Sequence, residues 1–321
     1  MADLQDRLAR LDLLSPEASG PPPAPGEGAT GRFDDPTEEA VRAFQRQRGL
    51  RVDGVCGPQT WGALVEAGYR PGDRLLYLRQ PKLRGDDVAE LQRQLSSLGF
   101  DAGRVDGIFG DRAAVALADF QRNVAIPVDG ICGRTTWEEL GRLLRHSDSR
   151  SLVAGVRERE ELRRAPRTLA GRRVAIGHPG GLGAAVEAVR RAVVEAGADA
   201  VALLHPDGSQ LATQANLAEV DVYLGLRLQP DLACSQIAYY RGYRYESAGG
   251  RRLAELICEH LAELVGDDGA TALGMSVPEL RYSRMPAVVC EVATPALVVE
   301  QAADLSRCLL QAMATWVLAW E

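Results

Sequence analysis

The sequence predicts a multidomain chain in which two all-α three-helix modules precede a doubly wound, mainly parallel α/β domain. Three observations carry this. The front half repeats itself at an offset of 76 residues, from Phe33/Phe109 through Phe44-Gln45/Phe120-Gln121, Asp53-Gly54/Asp129-Gly130 and Cys56-Gly57/Cys132-Gly133 to Thr60-Trp61/Thr136-Trp137 and Leu64/Leu140. Within each copy apolar residues recur at spacings of three and four, the period of a helix with one buried face. From about residue 170 short apolar runs alternate with Ala/Val-rich stretches, the pattern of buried strands joined by crossover helices. A chain of 321 residues is long enough to build more than one core.

The first helix of each copy is read from Leu4, Gln5, Leu8 and Leu11, which match Leu91, Gln92, Leu95 and Leu98 at an offset of 87. The longer offset means an 11-residue insertion in the first copy, placed in the Pro/Gly-rich stretch 15–32. The second helix runs to Phe44-Gln45 or Phe120-Gln121. A VDGxxG turn follows, with Asp53 and Asp129 as turn-makers, not ligand contacts. The third helix opens with Thr60 or Thr136 in its first turn, and Trp61 or Trp137 is expected to pack the bundle. The boundaries are 1–68 for module 1, 69–84 for a spacer and 85–145 for module 2.

Residues 146–168 are rich in Arg and Glu and read as a charged linker or solvated helix. The α/β domain then spans 169–321. Strands are expected at 174–178, 199–205, 221–228 and 287–292, and helices at 184–196, 249–264 and 302–320. The turn HPGGLG after the first strand matches neither GxGxxG nor a P-loop, so no nucleotide site is expected there.

Composition narrows the function. The net charge is −7, which argues against a nucleic-acid partner held through phosphates. No apolar run reaches the length of a transmembrane segment. The N-terminal residues lack a basic region followed by an apolar one, so no secretion signal is expected and the predicted localisation is cytoplasmic. Six cysteines without CxxC spacing read as buried free thiols.

The front-half motifs, FD..T..AVRAFQ..RGL.VDG..GP.TW..L and its second copy, resemble the peptidoglycan-binding domain carried by bacterial cell-wall hydrolases. That resemblance covers about residues 1–145 and implies peptidoglycan or a lipid-linked precursor as ligand, with the contact residues unassigned. The order of elements after residue 169, with LRYSRMPAVVCEV near the end, resembles the zinc-dependent N-acetylmuramoyl-L-alanine amidases. Such enzymes cut the amide between glycan and stem peptide, with two His and a Glu holding zinc and a second Glu as general base.

Carried over residue by residue, the resemblance places Glu291 at the general base. It places His178 at an Asp position, and Gly181 and Arg227 at the two zinc-histidine positions. Glycine has no donor, and a guanidinium stays protonated. No cofactor is therefore expected. Zinc returns only in an alternative site relocated to His178, Glu187 and His205 near the strand ends. Otherwise Glu187 is a helix-surface residue, His178 and His205 belong to loops, and His146 and His260 to the linker or surface. A vestigial Glu291 is expected to pair with Arg227, because a buried lone charge is costly.

Two peptidoglycan-binding modules ahead of an eroded amidase domain resemble the actinobacterial amidase-like regulator of cell-wall precursor synthesis. The implied function is a noncatalytic, cytoplasmic regulator or scaffold whose partners include a cell-wall precursor enzyme. The family's phosphorylated polar tail has no counterpart in this sequence. The alternative is an active zinc N-acetylmuramoyl-L-alanine amidase.

Overall fold

A computed structural model describes residues 1–14, 33–144, 153–242, 245–266 and 269–320. The insertion at 15–32, His146 and the first part of the charged stretch lie outside the described residues. The chain divides into two compact units, Met1–Ala154 and Gly155–Glu321.

The first unit holds α1 (Ala2–Arg10), α2 (Asp35–Arg48) and α3 (Pro58–Ala67), then α4 (Asp86–Ser97), α5 (Asp111–Asn123) and α6 (Arg134–Leu144). Local chemistry sets their ends. Asp34 caps α2 by accepting the Thr37 N–H at 3.1 Å, and Gly49 stops it in the left-handed region at φ 64°. Leu8, Val41, Phe44 and Leu64 form the core of module 1, and Leu91, Leu95, Leu117, Phe120 and Leu140 that of module 2.

The repeated Gln and Asp-Gly form a clasp. The Gln45 amide donates to Asp53 (2.7 Å), the Val55 carbonyl (3.1 Å) and Thr60 (3.1 Å), and its oxygen accepts the Gly54 N–H (2.9 Å). Gln121 repeats this with Asp129, Ile131, Thr136 and Gly130. Gln92 does so a third time with Asp106, Ile108 and Gly107. Asp53 and Asp129 are thus turn-makers, and Thr60 and Thr136 are buried first-turn residues of α3 and α6.

Gln121→Ala should cost about 1–3 kcal/mol, since it removes at once the partner of the Gly130 N–H, the Ile131 carbonyl, the Asp129 carboxylate and the buried Thr136 hydroxyl. Hydrogen bonds from the Ile131 N–H and the Gln121 amide hold the Asp129 carboxyl below its ordinary 3.8. Its contribution is therefore complete above pH 3.8 and is lost as pH falls through the lower folded value. Urea unfolding of wild type and Gln121→Ala at pH 7 and pH 3 should show the gap between them narrowing in acid.

The expected spacer at 69–84 proves to be part of module 2. Leu76 and Leu83 are buried in its core. Leu76 and Cys132 exchange backbone hydrogen bonds of 3.2 and 2.8 Å. Arg74 reaches the buried Asp87 at 2.7 Å and stacks on Tyr69 at 3.5 Å. The two modules are also tied by Arg48, at the end of α2, which holds Asp86 in the first turn of α4 with bonds of 2.7 and 2.8 Å.

The second unit takes in α7 (Val153–Arg164), then β1 (Arg173–His178), α8 (Gly183–Glu195), β2 (Asp199–Leu204), α9 (Gly208–Leu217), β3 (Val222–Leu228) and β4 (Ser235–Tyr240). It continues with α10 (Ala248–Val265), β5 (Ala270–Met275), α11 (Pro278–Tyr282), β6 (Ala287–Val292), α12 (Pro295–Val299) and α13 (Ala302–Leu318). The sheet order is β2-β1-β3-β6-β4-β5. The first four strands are parallel; β4 runs against β6 and carries β5 parallel to itself. Val222, Leu224 and Leu226 of β3 point to a core with α8, α10 and α13. The alternate residues, Tyr223, Gly225 and Arg227, therefore face the side of α9 and α11.

Three sequence expectations change here. The strand at 199–205 was expected to be buried, but β2 is an edge strand with Val201 and Leu204 exposed. The reversed pair β4 and β5, together with α9, α11 and α12, went unread: α11 and α12 have five residues each, too few to show a period. The charged stretch 146–168 is more than a linker from α7 onward. Leu162 is buried in the α/β core, and Glu158 accepts from Tyr245 (2.9 Å), Ser247 (2.5 Å) and the Ala248 N–H (2.9 Å) at the start of α10. Among the described residues no helix is long and apolar enough to cross a membrane. All six cysteines are free thiols, with Cys132, Cys290 and Cys308 buried.

Candidate functional site

The C-terminal ends of β1, β3 and β6 bring the chemistry together, as parallel strands do at one edge of a sheet. Arg227 on β3 stands in register with Glu291 on β6, and Gln236 on the antiparallel β4 flanks Glu291 from the other side. In-register neighbours project to the same face, so the guanidinium and the Glu291 carboxylate share the α9/α11 side of the sheet.

A third residue, Glu279, enters this face from α11. It is 1% exposed, and it accepts from the Tyr223 hydroxyl and from Arg227 Nη2 in a charge-assisted bond. The ion pair assigned from sequence to Arg227 and Glu291 is thus made by Arg227 and Glu279. The physical reason is approach: α11 lays its carboxylate over the strand end, whereas Glu291 projects alongside Arg227 from the neighbouring strand. Glycines make the room. A Cβ on Gly225 would lie 2.6 Å from Glu279 Oε1, and one on Gly208 would lie 2.9 Å from Arg227 Nη2. Burial pushes the Glu279 carboxyl up, and Arg227 and the Tyr223 hydroxyl pull it back. Burial and the neighbouring carboxylate push the Tyr223 phenol up, so it remains a donor.

Glu291 itself is 3% exposed. His178 ends β1; it is 8% exposed, its Nδ1 has no hydrogen-bond partner among the described residues, and burial lowers its pKa, which keeps the ring neutral at pH 7. The relocated triad is not assembled. Glu187 lies on α8 in a bidentate pair with Arg190 at 2.7 and 2.8 Å, and His205 Nδ1 accepts the Asp207 N–H at 3.0 Å. Among the described residues no group of three His, Cys, Asp or Glu side chains could hold a metal ion.

Comparison with known proteins shows the kinship of the chain. Residues 1–64 and 84–140 match the family model described as "Putative peptidoglycan binding domain". The N-acetylmuramoyl-L-alanine amidase CwlM of Mycobacterium tuberculosis is 34% identical over 290 residues, covering 81% of this chain and 71% of CwlM. The chain belongs to the N-acetylmuramoyl-L-alanine amidase family. The amidase CwlL of Bacillus licheniformis is 32% identical over 141 residues, 38% of this chain and 39% of that protein. Among solved structures, the amidase Ami1 of Mycobacterium abscessus covers 46% of this chain and 99% of its own at 13% identity, with a TM-score of 0.39.

Zinc, the metal implied by resemblance to this amidase family, does not fit the residues present. Gly181 offers no donor, and its φ of 75° is strained for any L side chain placed there, although the space around it is open. Arg227 offers only N–H donors, and its charge is committed to Glu279. What the arrangement can do is hold a buried, hydrogen-bonded ion pair and present Glu291 beside it. Tyr223 and Glu279 were missed in the sequence. Glu279 sits one residue before the quoted LRYSRMP motif, in a helix too short to signal itself.

Proposed function

We propose that this amidase-family chain is a noncatalytic regulator or scaffold of cell-wall synthesis, working in the cytoplasm. Its front half binds peptidoglycan or a lipid-linked precursor, and its α/β domain serves as a docking platform for a cell-wall precursor enzyme. The observation that carries this is Arg227, standing where the family's alignment calls for a zinc ligand and paired with the buried Glu279. Glu291, at the general-base position, has no metal-bound water to act on in this reading. The peptidoglycan ligand rests on the twofold match to the peptidoglycan-binding domain.

The deciding experiment is metal analysis of the purified chain with muropeptide release measured in parallel. No stoichiometric zinc and no released muropeptide are expected. Arg227→His alone should change neither, because Gly181 still leaves a ligand missing. One zinc per chain, lost on His178→Ala, together with muropeptide release, would promote the active-amidase reading instead.

A further inference from the structure

The outermost strand of the sheet presents a second row of backbone groups. β2 stands at one end of the strand order, with β1 on its inner side. The Asp199 N–H donates to the Arg172 carbonyl at 2.8 Å, and the His205 N–H to the His178 carbonyl at 3.2 Å. The parallel register between these bonds is unbroken from Arg173 and Asp199 to His178 and Leu204, so the odd-numbered residues of β2 bond inward to β1. The N–H and C=O groups of Ala200, Ala202 and Leu204 therefore point away from β1, out of the sheet edge.

Edge strands are commonly guarded by a charge, a proline or a bulge. Between Ala200 and Leu204 there is no charged residue and no proline, and the unbroken register leaves no bulge. Val201 is 38% exposed and Leu204 62%, and Ala202 between them is exposed too. Helix α8 packs beside β2 and finishes at Glu195, just before the strand begins, and its Val194 is 45% exposed. The polar side chains stand at opposite ends of the strand and differ in kind. Asp199 opens it, exposed, and His205 follows its last residue. His205 Nδ1 accepts the Asp207 N–H at 3.0 Å, so the neutral ring carries its proton on Nε2, as a donor.

We infer that β2 pairs with β2 of a second copy of this chain, antiparallel about a two-fold axis at Ala202, joining two six-stranded sheets into one. In that register outward groups meet outward groups. Ala202 exchanges both hydrogen bonds with the partner's Ala202, and Ala200 does so with the partner's Leu204. Asp199 then stands opposite the partner's His205 at a non-hydrogen-bonded position, where side chains approach most closely, and its carboxylate accepts from Nε2. Charge selects this register over its neighbours. A slip of two residues either way sets Asp199 against the partner's Leu203 or the partner's Asp207, neither of which is a donor. The same two-fold carries the exposed Leu204 to the end of the partner strand where α8 finishes beside Val194, so exposed apolar side chains are covered together. The strand thus supplies both halves of its own complement, which is why the occupant is a second copy. The inference does not depend on whether the α/β domain is catalytic or on what the front half binds.

Sedimentation velocity of the full chain between about 1 and 100 µM should show reversible monomer–dimer association. Ala202→Pro removes an outward N–H without touching the bonds to β1, and it should weaken association about tenfold or more. Leu204→Lys places a charge at a position 62% exposed in the single chain and should do the same. Thermal melts matching wild type check that both variants are folded. The register is tested by charge. Asp199→Arg and His205→Asp should each weaken association, and the two together should recover it, because the opposed charges are merely exchanged. A chain that stays monomeric at every concentration would overturn the inference. So would a dimer indifferent to Ala202→Pro and Leu204→Lys, which must use another surface. A double charge variant no better than either single one would overturn the two-fold register.

Discussion

Arg227→Met should destabilise the α/β unit by about 3–5 kcal/mol at neutral pH, the cost of leaving a buried charge without its partner. Glu279 is 1% exposed and receives its charged hydrogen bond from Arg227, so the variant strands a carboxylate that burial already disfavours. The Tyr223 hydroxyl remains, but a neutral donor does not replace a guanidinium. The loss should depend on pH in a defined direction. The unfolded carboxyl titrates near its ordinary 4.5, while burial sets the folded value higher, and higher still without Arg227. The folded state then holds its proton longer than the unfolded state. Stability is complete below pH 4.5 and declines as pH rises through the folded value. Denaturant melts of the variant across pH 4.5 to 8 should show the deficit growing with pH. A deficit that stays flat would mean that Glu279 is not the group left stranded. Glu279→Gln in the same background should recover much of the loss, because an amide keeps the Tyr223 contact without the charge.

Leu76→Ala should cost about 2–5 kcal/mol in the front unit, as for other large-to-small changes at fully buried positions. Leu76 is fully buried, and it is held by a two-bond bridge at one point of an otherwise irregular segment. Truncation should therefore loosen the segment as well as leave a cavity. Cys132 lies beneath it; burial pushes its thiol up, so it is unreactive while the segment is seated. Thiol labelling read out by peptide mass mapping should show Cys132 modified faster in Leu76→Ala, with the buried Cys290 of the other unit unchanged. Equal labelling of Cys132 in both proteins would show that the segment contributes packing but no cover.

The peptidoglycan-binding repeat was legible because its information is local. Helical period, Asp-Gly turns and the Gln that clasps each turn lie within a few dozen residues of one another, and the second copy repeats them at a constant offset. The α/β alternation was legible for the same reason at 174–178, 184–196, 221–228, 249–264, 287–292 and 302–320, where short apolar runs of strand length alternate with longer stretches of helical period. The edge strand β2 was misjudged because an apolar run looks the same whether one face or both are covered. The reversed strands β4 and β5 were lost because a single residue face on a short strand carries no sign of direction.

The candidate site divides along the same line. From the sequence alone, amidase kinship and Glu291 near a strand end could be determined, since each depends on residue type at a matched position, while the reading of Gly181 and Arg227 as lost zinc ligands is the expectation that metal analysis tests. Tertiary structure alone decided which carboxylate meets Arg227, that Leu76 of the expected spacer is buried in the core of the second module, and that Glu158 and Leu162 bind a charged stretch to the α/β core. Those outcomes depend on contacts between segments tens of residues apart, where burial and approach distance, invisible in the order of residues, select one partner among several of the same charge.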